Sequence, residues 1–270
     1  MSASASAGRL RWLGEPELLT AWRAEIEDAA RSEAKDRRRL VGAGTAAFYK
    51  GSPLRGKHAL RHAVRRALRV SEIPRLQEFH NLVWLREHGF LAPRPLLAGV
   101  FTRQGLPHFQ FLVTEWLAEA PTLGEFLGSA GASDRTTVLR ALATDLARLH
   151  ALGFVHRDLF ARNLLVVESA RIAFVDAWRG GPRRGGRGPL HDLSCLFLDA
   201  ALLLDAREQR DLLQTYRSAS RAHGPGPPAD WLARLAQGRA AVFRRESQRR
   251  RDPLPPEWVP PDLREAQDSE

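Results

Sequence analysis

The chain has 270 residues and 44% hydrophobic content, enough for one large domain or two lobes with a sizeable core. It carries 41 Lys and Arg against 31 Asp and Glu, a net charge of +10 that suits an acidic partner: a phosphorylated glycolipid, an anionic membrane surface or a nucleic acid. One cysteine, Cys195, excludes an internal disulfide framework and fits a reducing compartment, and no apolar run reaches the roughly 18 residues of a membrane span.

In chain order, Met1 to Ala7 is rich in Ser and Ala, and residues 1–14 are expected to be a disordered tail. No apolar stretch follows, so no signal peptide is expected. Glu15 to Asp36 predicts an amphipathic helix with Leu18, Trp22 and Ile26 on one stripe. Arg37 to Tyr49 predicts a hairpin turning at Gly42-Ala43-Gly44. Arg55 to Val70 predicts a basic helix with Leu60, Val64 and Leu68 on one side. Pro74 starts the next helix, which stops at Gly89. Pro93 and Pro95 mark a turn, and Phe109–Thr114 reads as a buried strand leading to Glu115-Trp116-Leu117 and a Pro/Gly loop. Ser133 or Asp134 caps a helix carrying Val138, Leu142, Leu146 and Leu149. Gly180 to Pro189 is a Gly/Arg/Pro loop, Leu190 to Ala206 an apolar helix, and Gly224 to Pro228 breaks the helices that follow. Residues 253–270 read as a frayed tail. Strands dominate the first part and helices the second.

The helix ending at Leu149-His150 leads into His156-Arg157-Asp158-Leu159-Phe160-Ala161-Arg162-Asn163, which is H-R-D with an Asn five positions after the Asp. Two apolar strand-like runs follow, Leu164–Val167 and Ile172–Val175, the second ending on Asp176. H-R-D alone recurs by chance; with the Asn, the paired runs and Asp176 at this distance, the pattern is the catalytic half of a kinase-like phosphotransferase site. Asp158 would orient the acceptor hydroxyl and take its proton. Asn163 and Asp176 would hold Mg2+, which prefers hard oxygen ligands and bridges the phosphates of ATP.

The nucleotide half is carried by a lysine. Only Lys35, Lys50 and Lys57 are lysines in a chain that otherwise uses Arg, so a Lys ending the apolar strand Ala46-Ala47-Phe48-Tyr49 stands out. Such a Lys contacts the phosphates and is held by a helix Glu. Glu78 is the candidate, because Leu82 and Leu85 on the same face turn it inward; the alternative is a surface ion-pairing Glu. Gly42-Ala43-Gly44-Thr45-Ala46-Ala47 spells the G-x-G-x-x-A dinucleotide fingerprint but opens no helix, since Gly51 and Pro53 follow. It also lies too close to Lys50 for a kinase glycine loop. A phosphate-covering loop is expected upstream, near Asp36–Arg39.

Taken together, these residues resemble the lipopolysaccharide core heptose kinases, in the Kdo-kinase-like branch of the protein-kinase-like superfamily, over roughly residues 37 to 250. The matching pieces are Phe48-Tyr49-Lys50, the basic linker helix Arg55–Arg69, Glu78-Phe79, Leu149-His150, Val175-Asp176-Ala177-Trp178-Arg179 and His191-Asp192-Leu193. The resemblance implies an α+β, two-lobed protein-kinase-like fold with a small β-rich N-lobe (residues 15–115) and a helical C-lobe (116–252), hinged near Glu115 and Leu117, which would contact the nucleotide. It implies that Asp192 braces the catalytic loop from below, with His156 as structural support. Two departures stand out: Asn163 where the family often has His, and Ala177-Trp178 in place of the Phe-Gly of D-F-G, so a Phe-driven switch is not expected.

Asp192 lies 16 residues after Asp176 with no A-P-E segment, too little for a peptide-binding activation segment. Arg179, Arg183, Arg184 and Arg187 in that interval could pair with phosphate or carboxylate on an acidic sugar; the alternative is a solvated loop. The expected function is an ATP- and Mg2+-dependent kinase acting on a sugar hydroxyl, heptose, of the lipopolysaccharide inner core. Its partners would be the lipopolysaccharide core or another acidic glycolipid and an anionic membrane surface, and it would work as a cytoplasmic monomer, peripheral on the inner face of the inner membrane. A nucleic-acid partner is not expected, since aromatics are not interleaved with the basic clusters. The competing readings are a kinase for another small molecule or a protein, and a pseudokinase scaffold.

Overall fold

The computed structural model describes residues 8–42, 44–67, 72–168, 170–182, 187–223 and 230–249. The chain divides into two units, residues 1–119 with 176–179, and residues 120–175 with 180–270.

The first unit holds β1 (Arg9–Gly14), α1 (Pro16–Ser32), β2 (Asp36–Gly42), β3 (Thr45–Pro53), α2 (Gly56–Ala67), α3 (Pro74–Glu87), β4 (Pro95–Arg103) and β5 (Leu106–Glu115). The five strands form one antiparallel sheet in the order β1-β4-β5-β3-β2. Helix α1 starts at a proline, whose fixed φ suits the first helical position, and ends where Glu33 turns left-handed at φ 48°. Its buried face, Leu18, Trp22, Ile26 and Ala29 with Leu19 and Ala30, packs with Tyr49, Leu97, Phe101, Phe109 and Phe111 in one apolar cluster. Burying each large side chain there stabilises the unit by roughly 1.5–3 kcal/mol. Gly99 is required where β4 crosses the Phe111 ring, because a Cβ would lie 2.5 Å from it.

Alternation along β3 decides where the site forms. Ala47 and Tyr49 are fully buried, with Tyr49 in the cluster beside α1, so Phe48 and Lys50 point to the other face of the sheet.

The second unit holds α4 (Leu123–Ser129), α5 (Ala132–Ala151), β6 (Phe154–Val155), β7 (Leu164–Val167), β8 (Arg171–Phe174), β9 (Gly181–Pro182), α6 (Arg187–Leu203), α7 (Ala206–His223) and α8 (Trp231–Arg249). A capping box starts α4: the Thr122 hydroxyl accepts from Glu125 N–H, and the Glu125 carboxylate accepts from Thr122 N–H at 2.7 Å. Arg135 in α5 joins four elements. Its guanidinium forks onto Glu208 of α7 at 2.7 and 2.6 Å and also donates to the carbonyls of Leu127 and Leu203. Helices α6 and α8 approach closely at Gly238, where a Cβ would lie 2.2 Å from Ser194 Oγ.

The antiparallel N-terminal sheet and helical C-terminal part are the α+β architecture expected from the sequence. Four details differ. Residues 9–14, expected in a disordered tail, form β1 on the sheet edge, paired with β4 from Arg9↔Thr102 to Gly14↔Leu97; the alternation of Leu10 and Trp12 with Arg9 and Arg11 is a half-buried strand pattern. The first unit extends past residue 115 to Glu119 and takes in 176–179. Helix α1 stops at Ser32 rather than Asp36, and a strand, β4, follows Pro95. Of the apolar side expected on α2, Leu60 and Val64 are 56% and 47% exposed. Leu68 lies outside the described residues, as do Ala43, Gly224–Pro228 and residues 253–270.

Candidate functional site

In the first unit the candidate residues meet on the face of β3 opposite α1. Lys50, 8% exposed, donates from Nζ to Glu78 Oε1 at 2.9 Å and to Asp176 Oδ1 at 3.3 Å. Glu78 is 1% exposed, so the inward orientation expected from its helix face holds and a surface ion pair does not. The site also contains Arg75, which the sequence reading left out. It stands one turn before Glu78 in α3 and donates from Nη1 to Glu78 Oε2 and, at 3.4 Å, to Asp176 Oδ1. Its own backbone N–H is held by Gln110 Oε1 at 3.1 Å. Arg37, opposite Lys50 in the β2–β3 register and therefore on the same face, brings a third cation to 3.9 Å of Asp176.

Two buried cations thus face the buried Glu78 and the partly buried Asp176, an arrangement that offsets the desolvation cost of each charge. Burial alone would raise the Asp176 carboxyl, but Lys50, Arg75 and Arg37 more than offset it and hold its pKa at about 2. Asp176 is therefore ionised at neutral pH. Its backbone sits at φ +60°, a left-handed conformation uncommon for a residue other than glycine. The following turn is anchored by Asn81, whose amide donates to Ala177 O at 2.6 Å. Ala177, in the place of a D-F-G Phe, is fully buried.

Asp36–Arg39, expected to cover phosphates, is instead the first part of strand β2, paired with Phe48–Gly51. The glycines at 42 and 44 flank the β2–β3 turn, as expected. Glu115 ends β5; its N–H donates to Arg94 O at 2.8 Å and its carboxylate accepts from Arg94 N–H at 3.1 Å. Leu117 follows in a partly exposed loop. Arg179 lies 4.5 Å over the Trp178 ring. Arg183 and Arg184 lie outside the described residues, and Arg187 opens α6.

In the second unit the H-R-D segment runs from β6 to a short 3-10 helix, Ala161–Asn163, that enters β7. Asp192, fully buried in α6, fixes it from beneath: its carboxylate accepts the N–H of His156 and of Arg157, both at 2.6 Å. Arg157 is left-handed at φ +65°, so these bonds hold a conformation that costs a non-glycine residue roughly 1 kcal/mol. His150 extends the network, with Nε2 3.3 Å from Asp192 and Nδ1 2.9 Å from the Tyr216 hydroxyl of α7. His156 Nε2 lies 3.0 Å from Val175 O.

Asn163 donates its amide nitrogen to Asp158 O at 2.8 Å, while its own carbonyl accepts from Val175 N–H at 3.1 Å. That leaves the Asn163 side-chain oxygen as the hard donor a Mg2+ ion needs. In the first unit, the ionised Asp176 carboxylate is by itself an oxygen donor of the same kind. Among the described residues no three His, Cys, Asp or Glu side chains cluster as a metal cage; Mg2+ held partly by phosphates and water needs only one or two protein carboxylates. The donor types fit that ion. Arg162 reaches Asp158 Oδ1 at 3.9 Å and stacks 4.1 Å over Phe160.

A structure of WaaP in complex with acyl carrier protein matches this one with a TM-score of 0.55 at 20% identity, over 88% of this chain and 98% of that one. The bifunctional kinase-methyltransferase WbdD matches less well, with a TM-score of 0.42 at 18% identity over 85% of this chain and 51% of that one. A comparison with curated proteins finds no match. At such identities the WaaP likeness speaks for the fold. The sequence-family comparison goes further, because the lipopolysaccharide kinase (Kdo/WaaP) family model matches residues 20–218, which span the lysine strand, the H-R-D loop and Asp192. The chain belongs to the lipopolysaccharide kinase (Kdo/WaaP) family.

Proposed function

We propose that the protein transfers the γ-phosphoryl group of ATP to a sugar hydroxyl, heptose, of the lipopolysaccharide inner core. The observation that carries this reading is the buried Lys50–Glu78 pair at 2.9 Å, a fixed ammonium with its own carboxylate holder, in a chain of a lipopolysaccharide kinase family. Lys50 neutralises charge on the nucleotide phosphates, with Glu78 fixing its position. Glu115 and Leu117 contact the adenine through the backbone. Asn163 and Asp176 hold Mg2+, which when bound supplies positive charge to the bridging phosphate oxygens. Asp158 orients the acceptor hydroxyl and accepts its proton as the oxygen attacks. His156 and Asp192 keep the loop in the strained shape that presents Asp158. These contributions are positioning and electrostatics, which supply most of the acceleration in phosphoryl transfer. The short interval between Asp176 and Asp192, with Arg179, Arg183, Arg184 and Arg187, favours an acidic glycolipid acceptor over a peptide. Mass spectrometry of core sugars from cells with and without the gene tests the acceptor: loss of one phosphate from heptose supports it, and an unchanged core refutes it.

We further propose that the protein works at the cytoplasmic face of the inner membrane, touching it through α2. The helix has Leu60 and Val64 exposed one turn apart beside exposed Lys57 and Arg61, and no acidic residue lies between Asp36 and Glu72. That composition suits insertion at an anionic headgroup layer. Co-sedimentation with phosphatidylglycerol vesicles should be strong at low salt, weak with phosphatidylcholine, and reduced by Leu60→Ser with Val64→Ser. Equal binding to both lipids would refute it.

A further inference from the structure

Lysine 50 has two carboxylate partners, and one of them, Asp176, is the residue assigned to metal. Lys50 Nζ is shared between Glu78 Oε1 at 2.9 Å and Asp176 Oδ1 at 3.3 Å. Without Arg75, moving Lys50 to a phosphate would leave Glu78 buried and unpaired and Asp176 facing only Arg37, at 3.9 Å. Arg75 changes that balance. Its guanidinium binds the other oxygen of Glu78 and the same Oδ1 of Asp176, closing a ring of two cations and two anions. It is 9% exposed, and its helix turn is tied to the sheet through Gln110, whose amide in turn donates to Ser52 Oγ at 3.2 Å. Both contacts come from one guanidinium nitrogen, Nη1, so Arg75 spans the same two carboxylates that Lys50 does.

We propose that Arg75 is a positioning residue of this site. It keeps Glu78 and Asp176 paired while Lys50 turns to the nucleotide phosphates, and it competes with a divalent cation for Asp176 Oδ1. The proposal rests on the kinase reading above. Removing Arg75 then has two opposed effects. Lys50 is held harder by two carboxylates, so nucleotide binds more weakly. Asp176 loses a competing cation, so the divalent ion binds more tightly. A role in folding alone would not move the two in opposite directions.

The test is a titration of Mg2+ against the thermal shift of the full chain with a non-hydrolysable ATP analogue, together with the KM for ATP. In Arg75→Met the Mg2+ midpoint should fall by about fivefold and the KM for ATP rise by about as much. Arg75→Lys, which keeps the charge on a shorter side chain, should show both shifts at smaller amplitude; it also serves if Arg75→Met does not fold. Midpoint and KM both unchanged, or both moving toward weaker binding, overturn the role of Arg75. No shift with Mg2+ and analogue in the unaltered protein would overturn the kinase reading and this inference with it.

Discussion

Replacing Asp192 by Ala removes the support beneath the catalytic loop, and its size can be worked out from the bonds lost. Two backbone N–H groups, of His156 and Arg157, each lose an acceptor at 2.6 Å. Asp192 and His156 are fully buried, so water cannot simply replace the carboxylate at His156. An orphaned buried donor costs roughly 1–3 kcal/mol at His156, and the N–H of exposed Arg157 adds a smaller loss, eased in part because a buried carboxylate no longer has to be desolvated. A net loss of about 3 kcal/mol would move a urea midpoint down by about 1–2 M. Arg157, no longer held at φ +65°, would relax and move Asp158 with it, so turnover should fall by at least tenfold while the KM for ATP stays near its original value. Asp192→Asn, which keeps one acceptor oxygen but turns an amide donor toward a second N–H, should fall between. The assays are urea denaturation followed by circular dichroism and steady-state phosphoryl transfer. An Asp192→Ala protein within about 0.5 kcal/mol of the original and with full turnover would refute the bracing role.

Other outcomes follow from groups outside the loop. Burial, the largest influence, pushes the Cys195 thiol up to about 12 from an ordinary 9.0. The folded protein should therefore not react with a thiol reagent at pH 8, whereas the denatured chain should show one thiol; fast reaction of the folded form would contradict the burial. The same shift has a sign for stability. The folded thiol keeps its proton longer than the unfolded one, so its contribution is intact below about pH 9 and declines as pH rises toward 12. Arg135→Met should lower stability by about 2–4 kcal/mol, because Glu208, the Leu127 carbonyl and the Leu203 carbonyl lose their donor together, without altering the KM for ATP.

The meeting of Lys50, Glu78 and Asp176 was legible in the sequence because the proposed phosphoryl transfer ties residue type to spacing. Asp158 and Asn163 need one loop, Asp176 needs the end of the next hairpin, and Lys50 stood out in a chain that otherwise uses arginine. Arg75 carried no such signal, being one of many arginines. The trace it left was its position three residues before Glu78 in a first helical turn, where side chains meet. The strand β4 was hidden by Pro93 and Pro95, read as a turn, although Leu96-Leu97-Ala98 and Val100-Phe101 are almost wholly buried. β1 was hidden by length: its six residues alternate correctly but gain a partner only from β4, distant in the chain. In α2 the apolar spacing marked a face, and only the structure shows that Leu60 and Val64 on it are exposed, because spacing cannot say what covers a face.

The role proposed for Asp158 is to handle the acceptor hydroxyl in ATP-dependent transfer to a lipopolysaccharide core sugar. The direct measurement is transfer of labelled γ-phosphate from ATP to purified core oligosaccharide with Mg2+, comparing the unaltered protein with Asp158→Ala. The account predicts label on heptose with the unaltered protein and at least a hundredfold less with the variant, within the range a positioned general base supplies. Transfer undiminished in Asp158→Ala would contradict it.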